Sequence, residues 1–446
     1  MYIRAFLACL VCKLLHAVIR FLGRGGTALP GRVALRICPG VLKLTAKGVH
    51  TLAVTGTNGK TTSARIAETA LRHAGLSVFS NRSGANLIDG IACAYILNTD
   101  LFLKPRCRYA VIECDEASVR RVLGEIRPKA LLVTNLFRDQ LDRYGTISAP
   151  RDAIADGLRK SPETTVCLNA DCPMAASIAD IVPNKTVFFG FACGDKKKTG
   201  SGEDDHCVFC GGKLHYSFVT YANCGDYLCT RCGKRRHDTD VTVTGVTDDG
   251  SFVLCLAAGK SLVKAALGGL YNVYNAAGSA ALVAAGGIDI SHAISAASDF
   301  ECGFGRMEEF PLGKKGAKMI LIKNAAAADQ TLELIKEDKS EKTVVFIINN
   351  RPSDGTDISW INDADIGKLA RLRGVRRIIA SGDRAESMAE CIKNEGMSCE
   401  TVPDYGILLK ILKEEESFIY LLPTYTAMLE LRQRIVKKLG GKNFWE

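Results

Sequence analysis

Proline is scarce in this sequence, 12 among 446 residues, while apolar residues make up 47%. That balance excludes a disordered chain and leaves material for several packed cores; the length is a prior for about three domains. A clean membrane-spanning run is also missing. The apolar stretch from Ala5 to Leu22 is interrupted by Lys13, His16 and Arg20, and no small-residue cleavage pattern follows it. Those three residues fall at i, i+3 and i+7, so a helix here would carry one basic face on an otherwise apolar surface. A helix lying on an anionic membrane has this pattern, and so does a helix packed into the first domain; both readings stand. Strong charge bias is absent too: the net charge of +10 is moderate and suits an anionic substrate, a membrane surface or nucleic acid equally. A disulfide framework is not indicated despite 18 cysteines. Most stand singly in apolar contexts, as Cys9, Cys93, Cys255 and Cys391 do, where a small buried hydrophobe is the ordinary role. With a nucleotide-binding loop in the same chain, thiols in a reducing, cytoplasmic compartment are expected.

What the sequence does contain is organised around residues 52–62. Leu52, Ala53 and Val54 read as a buried strand that runs into Thr55, Gly56, Thr57, Asn58, Gly59, Lys60, Thr61 and Thr62, followed by helical spacing from Ser63 to Ala74. Strand, glycine loop, Lys-Thr and helix in this order make a phosphate-binding loop. Glycines let backbone N–H groups converge on an anion, the helix N-terminus adds partial positive charge, Lys60 reaches the terminal phosphates and Thr61 can hold Mg²⁺. Val54 stands where the longer Walker spacing wants glycine, so the match is to the shorter T-G-T-N-G-K-T-T form.

Further strands bring polar clusters to their C-terminal ends. A short strand from Leu76 to Phe79 leads into the polar loop Ser80 to Asn86. The strand Tyr109 to Ile112 runs into Glu113, Cys114, Asp115 and Glu116, where Glu113 is the candidate Mg²⁺ ligand and Asp115 is either a neighbour of it or a helix N-cap. The strand Ala130 to Thr134 ends in Asn135 to Arg143. Ligands bind at such strand ends in open α/β sheets. With Val166 to Leu168 and Thr186 to Phe189, the segment is expected to be a mostly parallel sheet covered by helices on both sides.

From Gly194 the periodicity stops, and Cys207-Val208-Phe209-Cys210 is followed after eighteen residues by Cys229-Thr230-Arg231-Cys232. Two C-x₂-C pairs at this separation are the mark of a zinc ribbon. Cys207, Cys210, Cys229 and Cys232 would close a tetrahedral site with no open position, so the Zn²⁺ is expected to be structural. Cys224 and His206 are bystanders. Lys234, Arg235, Arg236 and His237 follow; with little aromatic interleaving they read as a solvated basic end, and nucleic acid is not the favoured partner. Strands return at Val241 to Val246 and Ser251 to Leu256. Gly268 to Asn275 then leads into an Ala-rich helix from Ala276 to Ala285, placing Asn272 and Asn275 at its start as caps or base contacts. Lys342 to Ile348, Val375 to Ala380 and Phe418 to Leu421 are the strands of a second α/β domain. Its acids between 354 and 365 are candidate helix caps as well as candidate site residues.

The motifs T-G-T-N-G-K-T-T at 55–62, T-N-x-x-x-D-Q-L-D at 134–142, Y-N-x-Y-N at 271–275 and G-R-M-E at 305–308 together resemble the Mur ligase family, ATP-dependent enzymes that activate a carboxylate as an acyl phosphate and join it to an amine. The four-cysteine ribbon, Gly25 to Gly31, Asp354 to Trp360 and Leu422 to Ala427 resemble its MurT-type synthetase subunits, and the similarity covers nearly the whole chain. It implies a helical segment at 1–46, a central ATP-binding α/β domain at 47–300 with the ribbon inserted at about 201–238, and a Rossmann-like α/β domain at 301–446 that docks a glutaminase subunit in a heterodimer. It also implies Lys60 and Thr61 on ATP phosphate and Mg²⁺, Glu113 on Mg²⁺, Asn275 near adenine, Arg306 on phosphate, and Asp354, with Asp357 in reserve, reaching towards the glutaminase site. The expected reaction is amidation of the D-glutamate α-carboxyl of the lipid II stem peptide, with ammonia from the partner, since no cysteine here has the Cys-His context of a glutaminase nucleophile. The expected place is the cytoplasm, at the inner face of the membrane if the first helix touches lipid. Lys323-Asn324-Ala325-Ala326-Ala327 departs from the usual Lys-Asn-Pro-Ala-Gly, and the carbamylated lysine of other Mur ligases is not placed by these motifs. Two rival readings are an amino-acid ligase of Mur or folylpolyglutamate type and a nucleotide-gated zinc-ribbon module that binds nucleic acid.

Overall fold

The computed structural model describes residues 2–21, 26–81, 85–100, 102–137, 148–194, 206–247, 251–256, 259–263, 269–300, 306–351 and 354–439, with backbone only at 306, 438 and 439. They form two compact units, divided at residue 300.

The first unit is built on a nine-stranded sheet. Its strands are β1 (His50–Thr55), β2 (Val78–Ser80), β3 (Tyr109–Glu113), β4 (Ala130–Val133), β5 (Thr165–Asn169), β6 (Thr186–Phe191), β9 (Val241–Val246), β10 (Phe252–Leu256) and β11 (Gly259–Val263), while β7 (Leu214–Tyr221) and β8 (Cys224–Cys229) form a separate hairpin. The order is β11-β10-β9-β6-β5-β4-β1-β3-β2, parallel from β2 to β9 and antiparallel only across β9, β10 and β11. β1 is central because five of its six residues are buried, as a strand covered on both faces requires. From β1 the chain builds first to one side, through β2 and β3, and then to the other, through β4 to β6. The strand order therefore reverses beside β1, and the crevice at the C-terminal end of that strand is where such folds bind ligands.

Two expected boundaries move. The second strand is Val78–Ser80, because the Leu76 amide donates to Leu71 O, closing the preceding helix across Gly75 at φ +73°. The Ala-rich helix starts at Leu270, with Gly269 as its N-cap residue, so Asn272 and Asn275 lie inside it and neither caps it. Cys9 and Cys93 are buried as expected, but Cys255 and Cys391 are half-buried; no disulfide occurs among the described residues.

The N-terminal helices Tyr2–Phe21, Ala28–Ile37 and Val41–Thr45 pack around the helix Ile88–Leu97. The first of them has no separate basic face. Lys13 Nζ turns inward to the carbonyl oxygens of Thr99 (2.5 Å) and Asp100 (3.4 Å), so its charge closes the C-terminal end of a neighbouring helix.

In the second unit β12 (Arg306–Phe310), β13 (Ala317–Ile320), β14 (Lys342–Ile347), β15 (Val375–Ser381), β16 (Glu400–Thr401) and β17 (Phe418–Pro423) form a sheet of order β12-β13-β17-β14-β15-β16, antiparallel only at β12. One apolar core lies against the helices Ala325–Glu337 and Ala385–Asn394, the other against Tyr405–Lys413 and Tyr425–Leu439. The Lys-Asn-Ala-Ala-Ala departure has a local reason. Asn324 caps the helix Ala325–Glu337, its side chain accepting from Ala327 N at 2.9 Å, and alanines are the strongest helix formers to follow it.

Candidate active site

The loop after β1 is shaped by its glycines and gripped from β4. Gly56 (φ +122°) and Gly59 (φ +84°) adopt backbone conformations that disfavour a side chain. A Cβ on Gly56 would lie 2.3 Å from Thr134 Oγ1, and one on Gly59 would lie 2.0 Å from Asn275 Oδ1. Asn135 holds the loop at two levels: its carbonyl accepts from Thr57 N (2.8 Å), its Oδ1 accepts from Asn58 N (2.9 Å) and its Nδ2 donates to Asn58 O (3.1 Å). Thr134 Oγ1 donates to Asn58 O at 2.7 Å. This explains the Thr-Asn pair chemically, because a carboxamide offers both a donor and an acceptor to the loop backbone. The rest of that motif, from Arg138 on, lies outside the described residues.

Lys60 and Thr61 open the helix Lys60–His73. Lys60 Nζ donates to Gly56 O (2.5 Å) and Glu116 Oε1 (3.0 Å). Burial works against its charge, but the nearby carboxylates of Glu116, Glu113 and Asp115 outweigh it and hold its pKa above the ordinary lysine value, so the cation persists at any working pH. Thr61 Oγ1 donates to Glu113 Oε2 at 2.7 Å, and Asn86 Nδ2 donates to Glu113 Oε1 at 3.3 Å. Asn81 fixes the strand end itself, donating to Glu113 O and accepting from Glu113 N. Asp115 caps the helix Glu116–Ile126, accepting from Ala117 N at 3.1 Å.

Asn275, expected near adenine, lies at the loop itself. It is buried under the loop, where Ser63 Oγ donates to its backbone and side-chain oxygens (both 3.4 Å) and Asn272 accepts from its Nδ2 (3.3 Å). Its helix starts at Leu270 and not at Ala276, about one and two-thirds turns earlier than the spacing suggested, and the residue faces Gly59. Of the other expected residues, Arg306 has no described side chain, and Asp354 and Asp357 belong to the second unit. Asp354 accepts from Thr426 N (2.6 Å), Thr426 Oγ1 (2.5 Å) and Arg351 N (3.2 Å). Asp357 is exposed and accepts from Ser359 N at 2.8 Å; Ser359 is the N-cap residue of the helix Trp360–Asp363, so Asp357 holds the turn before that helix and does not cap it. Glu116, Asn81 and Asn86 were read only as members of polar clusters, and Thr134 and Asn135 only as part of a family motif; their signal was position at strand ends, which gives location but not partners.

The four cysteines of the ribbon converge, with all four sulfurs within 4.8 Å of one another. Cys207 and Cys232 approach to 3.5 Å, as do Cys210 and Cys229. Each pair sits on a tight turn closed by glycine: Gly211 N donates to Cys207 O and Gly233 N to Cys229 O, both at 2.8 Å, with φ of +68° and +75° at the two glycines. Sulfurs about 3.5–4 Å apart are what tetrahedral Zn–S bonds of about 2.3 Å demand, so the donor set fits Zn²⁺. Cys224 and His206 are outside it. Of the basic residues after the ribbon, Arg235 is exposed and the others have partners within the molecule. Lys234 pairs with Asp180, Arg236 with Asp171 (2.5 Å), and His237 stacks on Phe188, which leaves a much smaller free basic surface than four consecutive basic residues suggest.

Asp171 is fully buried and ties the ribbon to the loop. It accepts from Arg236 Nε (2.5 Å), Tyr274 OH (2.5 Å) and Phe191 N (2.8 Å). Tyr274 also bonds Thr220 on β7 and immediately precedes Asn275. Burial raises the Asp171 pKa, and Arg236, Tyr274 and Phe191 only partly reverse this. Arg236→Ala should cost about 3–5 kcal/mol by stranding that carboxylate. A raised folded pKa makes the folded state bind the extra proton, so stability falls as pH rises through it. The deficit should therefore be larger at about pH 8 than at about pH 5, as read by urea unfolding of both proteins.

Residues 54–283 match the model of the Mur ligase middle domain, and 321–428 that of the MurT ligase C-terminal domain. The chain is 35% identical to the lipid II isoglutaminyl synthase (glutamine-hydrolyzing) subunit MurT of Streptococcus pneumoniae over 98% of both chains, and 29% identical to the subunit of the same name in Staphylococcus aureus over 98% of this chain and 99% of that one. A solved pseudomurein peptide ligase type C from Methanothermus fervidus superposes with a TM-score of 0.70 at 23% identity, over 89% of this chain and 80% of that one, which shows the shared fold.

Proposed function

Because the chain belongs to the Mur ligase family, in its MurT branch, we propose that it is the ATP-dependent synthetase subunit that amidates the D-glutamate α-carboxyl of the lipid II stem peptide to D-isoglutamine. The observation that carries this reading is the likeness over 98% of both chains to a subunit named for that synthase. A carboxylate resists amidation because its leaving group is poor and its charge repels nucleophiles. Transfer of the γ-phosphoryl of ATP to the carboxylate oxygen gives an acyl phosphate; ammonia then attacks the carbonyl carbon and inorganic phosphate leaves. Lys60 offsets charge developing on the transferred phosphoryl group, and the loop amides position it. Thr61 and Glu113 would hold Mg²⁺, a short protein ligand set of the kind this ion takes when phosphates and water complete its shell. When bound, the ion neutralises phosphate charge.

Ammonia would come from a glutaminase partner docked on the second unit, with Asp354 serving that partner's active site. Its carboxylate is held by Thr426 and the Arg351 amide, at the end of β17 and near that of β14, so it is already oriented. Asp354→Asn should lower glutamine-dependent amidation about 100-fold, a typical loss for a general acid–base or positioning group, while ammonium-dependent amidation stays near wild type. Equal loss in both assays would remove Asp354 from this role. The place of action is the cytoplasm, at the membrane that carries the lipid-linked substrate.

A further inference from the structure

The helix Tyr2–Phe21 is mostly apolar; the side buried against the protein is made of small residues, and its most exposed apolar side chains are bulky. Ala5, Ala8, Cys9 and Cys12, at i, i+3, i+4 and i+7, are 0–4% exposed and lie on the side that packs against Ala28–Ile37 and Ile88–Leu97. At 100° per residue the opposite face carries Ile3, Leu7, Leu10, Leu14, Val18 and Phe21; Leu10 is half-buried and the other five are 48–91% exposed. A surface helix in water has the reverse arrangement, with charge outward.

Two further observations say what covers this face. The first 50 residues contain eight Lys and Arg and no Asp or Glu, and Arg4 and Arg20 are exposed on the rims of the apolar face. Beside Lys13, which bonds the carbonyls of Thr99 and Asp100, a tight turn projects Phe102, 84% exposed. That turn is fixed: the Asp100 carboxylate accepts from the amides of Phe102 and Lys104 (both 2.8 Å), and Leu103 has φ +64°. An apolar face with aromatic ends, rimmed by cations and free of acids, matches the interface of an anionic bilayer. A second copy of the chain is a poor match, since pairing this face would bring two acid-free basic segments together. The helix is long and apolar enough to cross a bilayer, but its small-residue face packs on Ala28–Ile37 and Ile88–Leu97, which favours a helix lying along the surface.

We propose that the outward face of the helix Tyr2–Phe21, together with Phe102, seats the protein on an anionic membrane surface. This deepens the proposed function, on which it rests for its purpose: it would bring the phosphate loop's unit to the surface where a lipid-linked substrate resides. The test is co-sedimentation of the full-length chain with vesicles of phosphatidylglycerol and phosphatidylcholine, and with phosphatidylcholine alone. Binding should require phosphatidylglycerol, weaken with salt, and fall about tenfold or more in Leu14→Glu/Phe21→Glu. Both side chains are exposed, so the thermal melt of the variant should match wild type. No binding by wild type, equal binding by the variant, or a wild-type dimer that the variant dissolves without any vesicle binding would each overturn the proposal. Neither ATP nor substrate is present, so a negative result leaves the amidation reading standing, and a failed amidation assay leaves the vesicle result standing.

Discussion

Lys60→Ala should lower ATP-dependent amidation by about a thousandfold, the loss expected if this partly buried cation serves the phosphoryl group as proposed. The same change should destabilise the first unit by about 3 kcal/mol, because Glu116 is then left in a nearly buried site beside Glu113 without the ammonium at 3.0 Å. The two effects separate in a double variant. Adding Glu116→Gln removes the stranded charge and should recover most of the stability, read by urea unfolding, while steady-state turnover stays at the level of Lys60→Ala. Recovery of turnover along with stability would mean that Lys60 acts through folding alone.

Breaking the four-cysteine site should have the second largest effect. Cys207→Ser, or chelation of the wild type, is expected to lower stability by on the order of 5 kcal/mol, the range reached when a structural metal is lost from a segment with little core of its own. The ribbon's apolar cluster contains only Leu214, Tyr227 and two of the ligands themselves, Cys207 and Cys229, as buried members. The damage should spread. Arg236, just after the last cysteine, bonds Asp171, and Thr220, on the ribbon's hairpin, bonds Tyr274, which adjoins the Asn275 that packs against Gly59. ATP affinity should therefore fall with the zinc, although no cysteine lies at the loop. The checks are zinc content by mass spectrometry, expected at one ion per chain, and nucleotide affinity by calorimetry. A zinc-free protein with unchanged stability and unchanged ATP affinity would make the ribbon a dispensable appendage.

The parts of this account that were legible in the sequence are those set by local chemistry. The loop at 55–62 and the paired C-x₂-C turns follow from what phosphate and zinc demand of a short backbone stretch, and the buried strands follow from their apolar runs. Tertiary relations were not legible. Asn275 was expected at a helix start because Gly268 and Gly269 read as a loop, yet the helix begins at Leu270 and carries the residue beneath Gly59. Arg236 read as a solvated base, but its partner Asp171 lies 65 positions away and is buried. The first helix was read by its charges at 13, 16 and 20. Its character lies in which apolar residues are small, a distinction that acquires meaning only once the helix has a neighbour.

The central claim is amide formation on a lipid-linked carboxylate, and mass spectrometry of lipid II incubated with this chain, ATP and ammonium tests it most directly. Replacing OH by NH₂ should lower the mass of the stem peptide by about one unit, place the new amide on the D-glutamate α-carboxyl in fragment spectra, release ADP and phosphate in equal amounts, and fail with Lys60→Ala. An unchanged lipid II mass with folded, zinc-loaded wild-type protein, or the same product from Lys60→Ala at the wild-type rate, would contradict it.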